Sequence, residues 1–193
     1  MRSLEISKAT IRKEKLQIRK NLSFEQVNEF SDRICSNLFK TEEMKFCRNL
    51  LVYADYNNEV STEKIILTAL MRGIFVYMPK VNGDEMDFYR VFSLDELQSG
   101  AYGIREPYEI EHLKYVEEKN SVCLLPLSAF DASGNRIGYG KGYYDKYLNR
   151  VKVDSCIGLA FSFQESEDIP ADVFDRKLDK VVTEEKVFDF HNI

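Results

Sequence analysis

The chain has 193 residues, 44% apolar and 31% charged, a balance suited to a globular protein with a buried core. That length favours one domain spanning residues 1–193, large enough to need neither disulfides nor a structural metal. Twenty-seven basic against 32 acidic residues give a net charge of −5, which argues against a dedicated nucleic-acid binder but leaves room for a local basic patch.

Residues 4–20 read as a charged helix on which Lys8, Arg12, Lys15 and Arg19 share one face, a pattern that usually means a solvated surface. Ser23-Phe24-Glu25-Gln26 is a capping box that opens a second helix, with Phe24, Val27, Ile34 and Leu38 along its apolar side. Leu50 to Ala54 is a short apolar run, hence a buried strand, and Asn57-Asn58 marks a turn after it. A helix over 61–72 ends at Gly73. Ile74 to Met78 forms the next strand, stopped by Pro79, and Met86 to Val91 a third. Ser93-Leu94-Asp95-Glu96 repeats the capping-box pattern on a short helix. Val122 to Leu127 reads as a central strand, 131–135 as a turn, 142–150 as a helix and Ser155 to Phe161 as another buried strand. Val181-Val182-Thr183 is the last strand. Strands alternating with helices predict a layered α/β fold on a largely parallel sheet.

Cys35, Cys47, Cys123 and Cys156 are scattered, with no C-x-x-C pair, and read as buried thiols rather than a zinc site. His112 and His191 are expected at the surface. The N-terminal segment has no apolar signal core and no run approaches the ~20 residues of a membrane span, so a cytoplasmic protein without a membrane partner is expected. No heptad or other assembly signature is present, and a monomer is expected.

Chemistry concentrates in Gly134-Asn135-Arg136-Ile137-Gly138-Tyr139-Gly140-Lys141-Gly142-Tyr143-Tyr144-Asp145, between a predicted strand and a predicted helix. Glycines at 138, 140 and 142 let the backbone approach a ligand closely, and the following helix N-terminus can receive phosphate oxygens. Arg136 and Lys141 add positive charge there, so the segment suits a polyphosphate. It is not a Walker A loop, because Gly142 stands where a Mg²⁺-binding Ser or Thr belongs, and its glycine spacing is not that of a dinucleotide-binding fingerprint.

This stretch, with Pro126-Leu127-Ser128-Ala129-Phe130-Asp131 before it, resembles the signature of the 5-formyltetrahydrofolate cyclo-ligases, or methenyltetrahydrofolate synthetases. Four further places agree in order along the chain. They are Lys8-x-x-Ile11-Arg12 with Leu16, Arg19 and Leu22-Ser23; Glu59-Val60-x-Thr62; Gly103-Ile104-x-Glu106-Pro107; and Pro170 with Asp175, Leu178-Asp179 and Thr183-Glu184. There are two departures: Tyr139 stands where the family usually has a basic residue, and Phe174 where a His is common.

The resemblance implies a three-layer α/β/α fold with a mostly parallel central sheet. It also implies MgATP-dependent conversion of 5-formyltetrahydrofolate to 5,10-methenyltetrahydrofolate, with release of ADP and phosphate. ATP phosphorylates the formyl oxygen, N10 attacks the activated carbon and phosphate leaves. On this basis Lys141, Tyr143 and Arg136 are expected to act in catalysis. Lys8, Arg12, Arg136, Gly138, Gly140, Lys141, Gly142 and Tyr144 are expected to bind ATP. Ala54, Tyr56, Glu59, Tyr139 and Tyr143 are expected to bind the folate. Asp145 and Asp179 are expected to hold Mg²⁺, with Asp175 less firmly placed, and Lys15 and Arg19 to be ordinary surface. Two rival readings are a sugar-phosphate isomerase or acyl-transferase on the same fold, and a non-catalytic ligand- or RNA-binding relative. The cluster of Lys8, Arg12, Arg136, Lys141 and Asp145 disfavours the first. Retention of Glu59, Asp145 and Asp179, with the acidic balance, disfavours the second.

Overall fold

The computed structural model describes residues 7–100, 103–170, 172 and 175–190. Its helices are α1 (Lys8–Lys20), α2 (Phe24–Leu38), α3 (Glu42–Phe46), α4 (Glu63–Met71) and α5 (Tyr143–Arg150). Its strands are β1 (Asn49–Leu51), β2 (Phe75–Asn82), β3 (Glu85–Val91), β4 (Gln98–Ser99), β5 (Arg105–Glu106), β6 (Ser121–Pro126), β7 (Ala129–Asp131), β8 (Arg136–Ile137), β9 (Ser155–Leu159), β10 (Glu165–Ser166), β11 (Lys180–Val182) and β12 (Val187–Asp189). Seven of these form one sheet in the order β12-β11-β9-β6-β1-β2-β3. The five inner strands are mutually parallel, and β3 and β12 close the two edges antiparallel.

Successive residues of a strand point to opposite faces, and this sheet is apolar on both. Leu50, Val76, Val122, Leu124, Ile157 and Val182 face a core that includes Val27, Ile34 and Leu38 of α2, Met44 of α3 and Ile65, Ile66 and Ala69 of α4. Leu51, Tyr77, Cys123, Leu125, Cys156 and Val181 face the other core, where Tyr147 and Leu148 of α5 pack with Phe88 and Tyr115. The result is the expected α/β/α sandwich. A smaller sheet, β10-β7-β8, lies beside it, and α1 packs Ile11 against Ala129, Ile137 and Ile169 there. All four cysteines are buried and free. Among the described residues no helix is long and apolar enough to cross a membrane.

Local chemistry accounts for most boundaries. The Ser23 hydroxyl accepts the Gln26 N–H, and the Gln26 side chain accepts the Ser23 N–H, which completes the capping box. Gly73, at φ +73°, follows α4 in the left-handed conformation that ends helices. Asp131, buried at the end of β7, binds the turn that follows. Its Oδ1 accepts the Ser133 and Asn135 N–H groups, and its Oδ2 accepts Asn135 Nδ2 and the Ile169 N–H.

Several expectations need correction. The first helix begins at Lys8, capped by the Ser7 hydroxyl, and residues 4–6 lie outside the described residues, as do Phe174 and His191. Phe24 is 75% exposed, because the first residue of α2 lies beyond the core that its later turns reach. The strand after Cys47 stops at Leu51, although Val52 to Ala54 remain buried. Glu96 turns back to the Phe92 N–H rather than to Ser93, so the second capping box does not close.

Pro79 lies inside β2 rather than ending it. Phe88, its partner in β3, turns its carbonyl away to accept the Tyr115 N–H, so Pro79 and Phe88 are a non-hydrogen-bonded pair. The missing proline N–H would point to the side where β1 has already ended, opposite Tyr77, and no ladder bond is lost. The hairpin β7–β8 and the edge strand β12 were not anticipated. Both are two or three residues long, too short for periodicity to register.

Gly158, in β9, is required by space. A Cβ there would come within 2.6 Å of Leu127 Cδ1 and 2.9 Å of Leu178 Cδ1. Gly158→Ala is expected to destabilise the fold by about 1–3 kcal/mol through overpacking. Urea unfolding should show a lower midpoint with an unchanged slope.

Candidate active site

Parallel α/β sheets bind ligands at the carboxyl ends of their strands. A cavity of about 580 Å³ opens there, lined by Tyr53 and Ala54 beyond β1, by Pro126 at the end of β6 and by the segment following β8. Pro79, Val81 and Met86, from the part of the β2–β3 ribbon that outruns β1, form one wall. Ile104 and Glu106 complete it, and Glu106 is fixed by Lys80 at 2.5 Å.

One end of the cavity is the glycine-rich loop with its cations. Gly140 and Gly142 have φ of +92° and +69°, values that L side chains resist, whereas Gly138 has no such need. A chain that changes hand in this way can turn successive N–H groups to one side, as anion-binding nests do. Arg12, from α1, donates Nε–H to the Gly138 carbonyl at 2.7 Å. Its guanidinium lies about 3.4–3.5 Å from where a Gly140 Cβ would be. Lys141 stands exposed on the loop. Lys8 bridges Asp172 at 2.8 Å and Asp175 at 2.5 Å. Arg136 is buried and engaged, donating to Asp145 Oδ1 at 2.6 Å and to the Arg176 carbonyl. It therefore holds Asp145, which also accepts the Arg176 N–H, more than it reaches into open space.

The other end is aromatic and carries one buried carboxylate. Tyr143 ties its hydroxyl to the Gly83 carbonyl at the tip of the β2–β3 ribbon, at 3.2 Å. Tyr144 meets Phe88 edge-on. The loop from Tyr53 to Thr62 is cross-braced: Tyr53 Oη donates to the Val60 carbonyl, Thr62 Oγ1 to the Tyr53 carbonyl, and the Thr62 N–H to Asp55. Asn57 and Asn58 take the left-handed turn expected of them. Glu59, only 6% exposed, accepts the Tyr56 N–H at 2.9 Å. Burial pushes its carboxyl up to about 7 against the pull of Arg19, Tyr139 and the Tyr56 amide.

All the expected site residues except Asp179 meet at this cavity. The Asp179 carboxylate accepts the Cys156 N–H between β9 and β11 and is not among the residues that line the cavity. Asp175 is the other aspartate that lines the cavity. Among the described residues no three acidic, His or Cys side chains converge on a metal position. The set instead fits Mg²⁺ that arrives with phosphate oxygens and needs one or two carboxylates. His112 is exposed, as expected.

Arg19 is the main surprise. Rather than surface, it is 2% exposed, with Nη1 on the Leu127 carbonyl and Nη2 on the Tyr139 hydroxyl. Lys15 likewise turns inward, to the carbonyls of Phe163 and Glu165. The shared helical face was visible in the sequence, but not the β-hairpin that covers it. Pro79, Val81 and Met86 carried no signal of a site, and Ile104 and Glu106 belonged to a motif without an assigned role.

The class is thus an α/β protein whose sheet crevice joins a cation-rich glycine loop to an aromatic chamber. The sequence profile of the 5-formyltetrahydrofolate cyclo-ligase family matches residues 5–184, and the chain belongs to that family. The solved structure of 5,10-methenyltetrahydrofolate synthetase from Aquifex aeolicus superposes with a TM-score of 0.82 at 36% identity, covering 95% of this chain and 93% of that one. The corresponding synthetase of Mycoplasma pneumoniae gives 0.71 at 26% identity, covering 92% and 98%. The 5-formyltetrahydrofolate cyclo-ligase of Mus musculus is 29% identical, over 93% of this chain and 94% of its own length.

The raised Glu59 carboxyl has a signed consequence. In the folded state it keeps a proton that the unfolded chain releases from about pH 4.5 upward, so its contribution to stability falls as pH rises towards about 7. Glu59→Gln removes that loss. The stability difference, Glu59→Gln minus wild type, should grow by about 3 kcal/mol at most between pH 5 and 8. Denaturation midpoints across that range check it.

Proposed function

We propose that this enzyme converts 5-formyltetrahydrofolate to 5,10-methenyltetrahydrofolate at the expense of ATP, releasing ADP and phosphate. Family membership supports the folate reaction. The observation that carries the ATP-dependent form is the single cavity joining Gly138–Gly142, with Lys8, Arg12 and Lys141, to the chamber that ends at Glu59.

The formyl oxygen is a poor leaving group, and transfer of the γ-phosphoryl group to it turns it into a good one. N10 then attacks the formyl carbon, the ring closes and phosphate departs. Little covalent chemistry falls to the protein, so alignment and charge stabilisation are its work. Lys141 meets the charge on the transferring phosphoryl group from the exposed loop. Arg12, fixed through Gly138, and Lys8, freed from Asp172 and Asp175, receive the remaining phosphates. Arg136 keeps Asp145 oriented. Mg²⁺, bound with the nucleotide, supplies charge neutralisation, and Asp145 with Asp175 would hold it. At the far end Glu59 accepts N–H donors of the folate head group, while Ala54, Tyr56, Tyr139, Tyr143 and Tyr144 bound the slot for its flat ring.

The test is growth of near-ultraviolet absorbance from the methenyl product, on mixing the protein with 5-formyltetrahydrofolate, ATP and Mg²⁺. The signal should need all three. Lys141→Ala and Asp145→Ala should each lower kcat by about 100-fold or more with the fold retained, the scale of losing one strong transition-state contact. Wild-type turnover without ATP would overturn the reading, and full activity in either variant would remove the role given to that residue.

A further inference from the structure

Arg19 poses a problem that the reaction scheme leaves unsolved. A guanidinium is costly to take out of water, yet this one is 2% exposed and its Nε finds no partner. Its remaining donors go to the Leu127 carbonyl and to Tyr139, and no direct ion pair joins it to a carboxylate among the described residues. The Tyr139 hydroxyl accepts from Arg19 and so keeps its own proton to donate. Glu59, which lines the same cavity, is among the groups that interact with it. The guanidinium lies 5.4 Å from the Tyr139 ring centroid, so charge and ring are held as one unit. A second link runs through the backbone. Asn58 Nδ2 donates to the carbonyls of Arg19 and Leu22, tying the loop that carries Glu59 to the end of α1.

We propose that Arg19 is a positioning residue of the folate end of the cavity, acting on Glu59 through Tyr139. The inference rests on Glu59 being the group that holds the folate head. Arg19 favours the charged carboxylate, the form that accepts the ligand's N–H donors, and fixes Tyr139 as a wall of the slot. The other ionisable groups that face Glu59 are Asp55 on its own loop, Tyr53 where that loop begins, and Tyr144 from α5. None is cationic, and Asp55 opposes ionisation. Burial works in the same opposing direction, and the balance leaves Glu59 titrating at about 7.

The experiment compares wild type with R19M, R19K and Y139F. For turnover, kcat/KM for 5-formyltetrahydrofolate is followed from pH 6 to 9 at saturating ATP. The wild-type value should rise through about pH 7. In R19M the rise should move up by about one pH unit, making the deficit roughly tenfold worse at the acid end than at the alkaline end. R19K should bring it back towards wild type. Y139F should move it in the same direction as R19M, and the double variant by less than the sum. A purely structural Arg19 would lower stability or the plateau rate and leave the midpoint where it was.

The second arm needs no turnover. Protein carrying ¹³C-carboxyl glutamate is titrated without ligands, with E59Q identifying the Glu59 resonance, and its midpoint should be higher in R19M and Y139F than in wild type. Coincident midpoints in folded protein overturn the inference and leave the assigned activity standing. A shifted midpoint in a protein without ATP-dependent turnover does the reverse. Should R19M fail to fold, Y139F alone decides, because Tyr139 is 41% exposed and carries little of the core.

Discussion

The Asp131 carboxylate, buried and meeting four N–H donors, fixes the point from which the cavity rim is built. A carboxylate so far from water is tolerable only when its oxygens are answered, and charge-assisted bonds to fixed amides answer them well. Two of the donors close the turn into β8, which sets the origin of Arg136 and of the glycine loop. A third belongs to Ile169, just ahead of the acidic segment that holds Asp172 and Asp175. Lys8, on the first helix, grips those two aspartates. One buried side chain thus ties the central hairpin to the C-terminal segment, and Lys8 joins the N-terminal helix to that segment.

Around that anchor the rim sorts its charges into two kinds. The Arg136–Asp145 pair is shielded on the arginine side and shares its carboxylate with a backbone amide, so it behaves as framework. The Lys8–Asp172 pair, with its aspartate side chain 76% exposed, is of the kind that contributes at most about 1 kcal/mol. Breaking that pair costs little and leaves the framework intact.

The sequence revealed the site more readily than the boundaries of the fold. Glycines at 138, 140 and 142 beside Lys141 carry their chemistry in residue type and spacing, and the structure gathers Lys8, Arg12, Glu59 and Asp145 about them. Asp179 lies off the cavity lining: an aspartate just ahead of a strand serves equally well as an acceptor for the neighbouring strand's amide, and spacing does not tell the two uses apart. Arg19 went astray because a helical face shows which residues lie together, not what covers them. Pro79 misled for a related reason: whether a proline breaks a strand depends on which side of the ladder its nitrogen faces, and that is a property of the neighbours.

The placement of α1 has a bearing on how the chain reaches its native state. This helix is made early, yet Ile11 packs on Ala129, Ile137 and Ile169, Lys15 caps carbonyls at Phe163 and Glu165, and Lys8 meets Asp172 and Asp175. The middle strand of the sheet, β6, likewise waits for β9 on one flank while β1 is ready on the other. Contacts of such long sequence separation form late and slowly. During synthesis the first helix must therefore emerge without its partners, and its sparse apolar face and dense lysine and arginine content keep that exposed interval free of surface that would invite association.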